Sequence, residues 1–133
     1  MEDIPKLLLV DDEPLVRRSM EKTLFRAGFD VETAANCIEG LETFKEAQDS
    51  DAPFDLAVLD LNMPGFEGTE QSGAGLELLS RLIKLRSDLP VVVLTAYDEI
   101  TKAKEALNRG ARSYFVKGRE QGLIDLINDI LGL

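Results

Sequence analysis

This chain of 133 residues contains no histidine. That excludes a Ser-His-Asp or Cys-His catalytic site and the HExxH zinc motif, because each needs an imidazole. Its one cysteine, Cys37, has no partner for an internal disulfide and fits no metal-ligand spacing. It points to a reducing compartment and to a small, semi-buried side chain. Long apolar runs are also missing, and the acidic start from Met1 to Pro5 lacks the features of a signal peptide. The expected location is the cytoplasm, with no membrane partner. Cations are scarce: 15 Lys and Arg stand against 25 Asp and Glu, a formal net charge of −10. That balance argues against direct binding of nucleic acid or of an anionic membrane surface.

What is present suits one core. Apolar residues make up 44% of the chain and charged residues 30%, ordinary for a globular protein. The length fits one domain over residues 1–133 and is too short for two.

Short apolar runs alternate with amphipathic stretches. Lys6 to Val10 reads as a buried strand stopped by Asp11, Asp12 and Glu13. Pro14 suits the first turn of a helix capped by Asp12 or Glu13, with Leu15, Val16, Met20, Leu24 and Phe25 on its apolar face and Gly28 beyond its end. Phe29 to Ala34 alternates, as an edge strand does. Asn36 and Glu39 form a capping-box-like start, followed by Ile38, Leu41, Phe44 and Ala47 on one side of a helix. Phe54 to Pro64 contains the continuous run Leu56 to Leu59, a central strand covered on both faces, ending at Asp60. A third helix is expected over Leu76 to Leu85, a fourth strand over Val91 to Leu94 ending at Thr95, and a fourth helix over Asp98 to Asn108 with a thin apolar face. Arg112 to Val116 is a fifth strand ending at Lys117, and a last helix runs from about Gln121 to Leu131. Such alternation predicts a parallel sheet with helices on both faces.

In a parallel sheet the carboxyl ends of the strands share one edge, where open α/β sheets place their ligands. That edge collects Asp11 and Asp12, Asp60, Thr95 and Lys117. Each alone has a plain explanation as a cap, a strand end or a solvated tip. Together they resist it. Carboxylates about 4 Å apart repel by about 4 kcal/mol per pair at an effective dielectric near 20. A divalent cation would relieve this, and the Lys117 ammonium would in part. Oxygen-only ligands favour Mg²⁺, with Mn²⁺ as the alternative. A carboxylate beside such an ion can attack a phosphoryl group and form an acyl phosphate. The remaining phosphoryl oxygens would fall to the Thr95 hydroxyl and to Lys117.

The runs LLLVDDEP, Asp60-Leu-Asn-Met-Pro-Gly, LTAYD and Tyr114-Phe-Val-Lys117 resemble the receiver domain of two-component response regulators, in order and spacing, over essentially the whole chain. The resemblance implies a flavodoxin-like (βα)5 three-layer sandwich with strand order 2-1-3-4-5. It implies Asp60 as phosphoacceptor, and Mg²⁺ ligated by Asp12, Asp60 and the backbone carbonyl of Asn62, with Asp11 acting through water. Thr95 and Lys117 are implied to bind phosphoryl oxygens, and Thr95 and Tyr114 to form the switch pair. The implied donor is a phosphohistidine of a sensor kinase or histidine phosphotransfer protein, which fits the lack of histidine here. The implied output is a downstream effector protein or output domain, reached through the fourth helix, fifth strand and fifth helix, a surface through which the chain could also homodimerise. Catalysis would be limited to self-phosphorylation and autodephosphorylation.

Two features depart from the family pattern. Gly118 follows Lys117 where the family usually has proline, so a trans bond is expected, or a rearranged loop with a less fixed Lys117. Gly65 to Gly75 is several residues longer than usual and reads as an insertion-like surface loop. The resemblance implies that the positions two beyond Asp60 and two beyond Thr95, here Asn62 and Tyr97, influence the lifetime of the phosphoryl group, with Tyr97 expected to shield the acyl phosphate from water. The other readings are a non-phosphorylated pseudo-receiver interaction module and an aspartyl-phosphate hydrolase. The retained site residues oppose the first. Asn62, where such hydrolases carry a second acid, opposes the second.

Overall fold

The computed structural model describes residues 4–63, 71–96, 99–118 and 120–133. The elements alternate as β1 (Lys6–Val10), α1 (Pro14–Arg26), β2 (Asp30–Ala34), α2 (Cys37–Gln48), β3 (Leu56–Asp60), α3 (Gln71–Leu85), β4 (Val91–Thr95), α4 (Ile100–Asn108), β5 (Ser113–Val116) and α5 (Glu120–Leu131). The strands form one parallel sheet in the order β2-β1-β3-β4-β5. This is the flavodoxin-like arrangement, with β3 at the centre.

Alternate residues of each inner strand feed two cores. Leu8, Val10, Ala57, Leu59, Val91 and Val93 pack with Phe44, Leu78, Leu79 and Ala106 from α2, α3 and α4. Leu7, Leu9, Leu56, Val58, Val92 and Leu94 pack with Met20 and Leu24 of α1 and Leu123 and Ile127 of α5. The two-residue period of a strand thus produces the three layers. All five residues of β3 and of β4 are buried, as continuous apolar runs require, whereas β2 alternates as an edge strand.

Several boundaries and faces differ from expectation. Leu15 and Phe25 are 79% and 71% exposed, so the inner stripe of α1 is Val16, Met20 and Leu24. Leu15 and Phe25 each lie one position off that stripe, about 100° around the helix. Ile38 is exposed for the same reason, because Cys37, Gly40, Phe44 and Ala47 form the inner stripe of α2. Cys37 is fully buried rather than semi-buried; its thiol donates to the Ala74 carbonyl, and burial pushes its pKa up to about 12. The box at α2 is made with a shift: Asn36 Oδ1 accepts the Glu39 N–H, while Glu39 accepts the N–H of Ala35, one residue before the cap.

The third helix begins at Gln71 rather than Leu76, so the last five residues of the expected 65–75 loop are helical. Glycine and serine disfavour a helix in isolation, but tertiary packing overrides this. Ala74 is fully buried, and a Cβ on Gly75 would lie 2.5 Å from Leu61 Cα and 2.6 Å from the Asp60 carbonyl oxygen. Only glycine lets α3 rest directly on the end of β3. The rest of that loop, with Pro64, Gly65, Glu67 and Glu70, lies outside the described residues, as do Tyr97 and Asp98.

Candidate functional site

Strand register carries the site. Val10 lies beside Leu59, Asp60 beside Leu94 and Thr95 beside Val116. The residues that end β1, β3, β4 and β5 are therefore level along one edge. The backbone continues that alignment past the strands, with Asp11 N–H donating to Ala34 O and Lys117 N–H to Thr95 O.

Asp11 is fully buried, Asp60 is 2% exposed and Asp12 is half-buried. One carboxylate oxygen from each lies within 4.8 Å of the others. Asp11 Oδ1 accepts the backbone N–H of Glu13, and Arg17 donates to the Asp11 carbonyl. The turn into α1 is thus braced by Asp11, not by the side chains of Asp12 or Glu13, although Glu13 occupies the N-cap position and Pro14 the first turn. Asp60 Oδ1 accepts the N–H of Asn62 at 3.1 Å.

Lys117 reaches back over both buried acids. Its Nζ lies 3.0 Å from Asp60 Oδ2 and 3.3 Å from Asp11 Oδ2. Burial pushes the Asp60 carboxyl up to about 6, against the downward pull of the Asn62 N–H and the Lys117 charge. Burial pulls Lys117 the other way, but the Asp60 and Asp11 carboxylates outweigh it and its pKa is raised. The ammonium therefore stays charged. The departure at Gly118 does not loosen it. Gly118 has φ +116°, a region side chains avoid, and no peptide bond among the described residues is cis.

Thr95 is 1% exposed, and its hydroxyl faces the carbonyls of Ala96 and Glu99 at 3.2 and 3.1 Å. Tyr114 is half-buried on the same sheet face, paired in register with Val93 and packed against the larger core. All the residues singled out from the sequence that are described thus converge on one edge, Asn62 through its backbone and Tyr114 one layer behind. Two contributors had no sequence signal. Glu99 acts across 37 residues on Asn62, with Oε1 3.4 Å from Nδ2. Gly75 shows its purpose only through its contact with the Asp60 backbone.

An all-oxygen cluster of three carboxylates faced by the single charge of Lys117 suits a small hard cation. A doubly wound α/β sheet with this acidic pocket on its carboxyl edge defines the class. The chain belongs to the response regulator receiver domain family, whose description matches residues 7–128. It is 33% identical over 92% of its length to the transcriptional regulatory protein AfsQ1 of Streptomyces coelicolor, covering 48% of that protein. It is 33% identical over 88% of its length to the response regulator PilR of Pseudomonas aeruginosa, covering 24% of it. The chain thus spans half or less of the length of these relatives. A receiver domain structure from Clostridium thermocellum matches with TM-score 0.84 at 28% identity, covering 97% of this chain and 95% of that one. The chemotaxis protein CheY4 of Vibrio cholerae matches with TM-score 0.79 at 28% identity, covering 96% and 99%. Among the described residues, no helix is long and apolar enough to cross a membrane.

Proposed function

We propose that residues 1–133 act as one phosphoacceptor receiver domain, with an insertion-like loop ahead of α3, taking a phosphoryl group onto Asp60. The observation that carries this reading is the clustering of Asp60 with Asp11, Asp12 and Lys117 in a chain of the receiver family. Asp12, Asp60 and the Asn62 carbonyl would hold Mg²⁺, with Asp11 acting through water and Mn²⁺ as a substitute. When bound, the ion supplies neutralisation of phosphoryl charge.

The chain's own residues do the rest. An Asp60 carboxylate oxygen attacks phosphorus, the P–O bond forms, and the P–N bond to the donor imidazole breaks. The imidazole leaves with its proton. Asn62 N–H and Lys117 orient the Asp60 carboxylate before attack. Lys117 then transfers its contact to a phosphoryl oxygen, and the Thr95 hydroxyl turns from the Ala96 and Glu99 carbonyls to another. Tyr114 fills the space that Thr95 leaves. Catalysis is limited to this self-phosphorylation and to autodephosphorylation, in which water attacks the phosphorus, inorganic phosphate leaves and the Asp60 carboxylate is restored.

The donor is a sensor histidine kinase or a histidine phosphotransfer protein, and the setting is the cytoplasm. The output passes through α4, β5 and α5 to an effector protein or output domain, or to a second copy as a homodimer, with no direct contact to nucleic acid or membrane. No residue of the acceptor set is replaced, which favours this reading over a pseudo-receiver. Intact mass after incubation with Mg²⁺ and acetyl phosphate, wild type against Asp60→Ala, tests it. A phosphoryl adduct confined to wild type supports the reading, and its absence at saturating Mg²⁺ refutes it.

A further inference from the structure

Glu99 stands just ahead of α4, and it is bonded to both sides of the site. Its carbonyl accepts the Thr95 hydroxyl at 3.1 Å and also the N–H groups of Lys102 and Ala103 in the first turn of α4. Its carboxylate does not cap α4, although Glu99 sits at the N-cap position. Oε1 instead accepts from the Asn62 side chain, 37 residues away at the end of β3. Oε2 is buried without a hydrogen bond among the described residues, with Lys102 Nζ at 3.6 Å. A cap glutamate ordinarily serves its own helix. This one spans the gap between two strand ends.

We propose that Glu99 is a positioning residue. It clasps the Asn62 side chain while its carbonyl holds the Thr95 hydroxyl and the first turn of α4 in the resting arrangement. Phosphoryl capture, as read in the preceding subsection, draws Thr95 off the Glu99 carbonyl and moves the segment that carries the Glu99 side chain, so the bond to Asn62 breaks with it. Freeing that side chain beforehand biases the site toward the captured state, since the Asn62 bond no longer has to be broken.

The test compares wild type, Glu99→Ala and Glu99→Gln. Two readouts are taken: the Asn62 side-chain amide and Thr95 methyl NMR signals of the unphosphorylated protein, and the dissociation constant for beryllofluoride with Mg²⁺. Glu99→Ala is expected to move both signals and to tighten beryllofluoride binding about three- to tenfold. Glu99→Gln keeps an oxygen for Asn62 and is expected to restore the Asn62 signal and most of the wild-type affinity. A merely structural cap would lower thermal stability in Glu99→Ala while leaving the Asn62 signal and the affinity unmoved, and that result overturns the proposal. If wild type binds no beryllofluoride, the receiver reading fails, and the NMR comparison still decides the clasp: unmoved Asn62 and Thr95 signals in Glu99→Ala refute it.

Discussion

Two groups reach toward Asp60 from the same side of β3, and they differ in readiness. Lys117, at the end of β5, already touches Asp60 and Asp11, at 3.0 and 3.3 Å. Thr95, at the end of β4, lies one strand nearer, but its hydroxyl is committed to carbonyls of its own loop. The difference follows from what each group finds in the resting protein. A half-buried ammonium needs a counter-charge at once, and the acids supply it. A hydroxyl is satisfied by any nearby carbonyl and has no reason to face a carboxylate. Lys117 is therefore already assembled by its counter-charges, whereas under the proposed function Thr95 has to be drawn in by the phosphoryl group.

Removing the assembled group, Lys117, should do the most damage. Lys117→Met is expected to slow phosphorylation from acetyl phosphate by about two orders of magnitude or more, as loss of a preorganised charge partner does. Rates by intact mass would check this, and a change under twofold would mean that the contact is only structural.

Pressure on the strand that ends at Asp60 comes next. Gly75→Ala drives a methyl into the Asp60 and Leu61 backbone. It should cost about 3 kcal/mol in urea unfolding, at the upper end of overpacking effects. A near-neutral result would show that α3 can lift away from β3.

Asp60→Asn sharpens the comparison through pH. Burial raises the folded carboxyl from 3.8 to about 6. Between those values the folded state holds a proton that the unfolded chain lacks, so stability falls as pH rises through the window. Above about pH 6 the folded protein carries the whole cost of the buried charge. In chelator, Asp60→Asn should thus stabilise by about 3 kcal/mol at pH 7.5 and by nothing below about pH 4. Paired melts at the two pH values would reveal an opposite sign if the Lys117 pairing outweighs burial.

The smallest effect belongs to Thr95. Thr95→Val should lower stability by only about 1 kcal/mol, the net worth of one hydrogen bond, while slowing phosphorylation about tenfold. Equal losses for Thr95→Val and Lys117→Met in both assays would erase the distinction between the two groups.

The alternation of elements and the level strand ends were legible because continuous apolar runs such as Leu56–Leu59 stop at charged residues, and parallel pairing aligns those stops. The start of α3 was not, since Gln71 to Gly75 has the local chemistry of a loop and is helical only through its contact with β3. The outward turn of Leu15, Phe25 and Ile38 was hidden for a related reason. Apolar residues adjacent to a stripe look like part of it until the partner surface sets its width. Asp11 rather than its neighbours braces α1, because its own burial aims Oδ1 at the Glu13 N–H. Glu99 could not be found at all from a single sequence, because its partners are set by which loops the sheet brings together.

The order in which the chain is made gives the Lys117 contacts a further meaning. The acids at residues 11, 12 and 60 emerge from the ribosome long before their cation at 117, which is placed only when β5 pairs with β4. A nascent chain that has formed β1 and β3 but not β5 holds an acidic cluster without its ammonium. The last strand of the sheet is thus also its electrostatic closure, and synthesis that stalls short of residue 117 leaves a sheet that repels itself at its own edge.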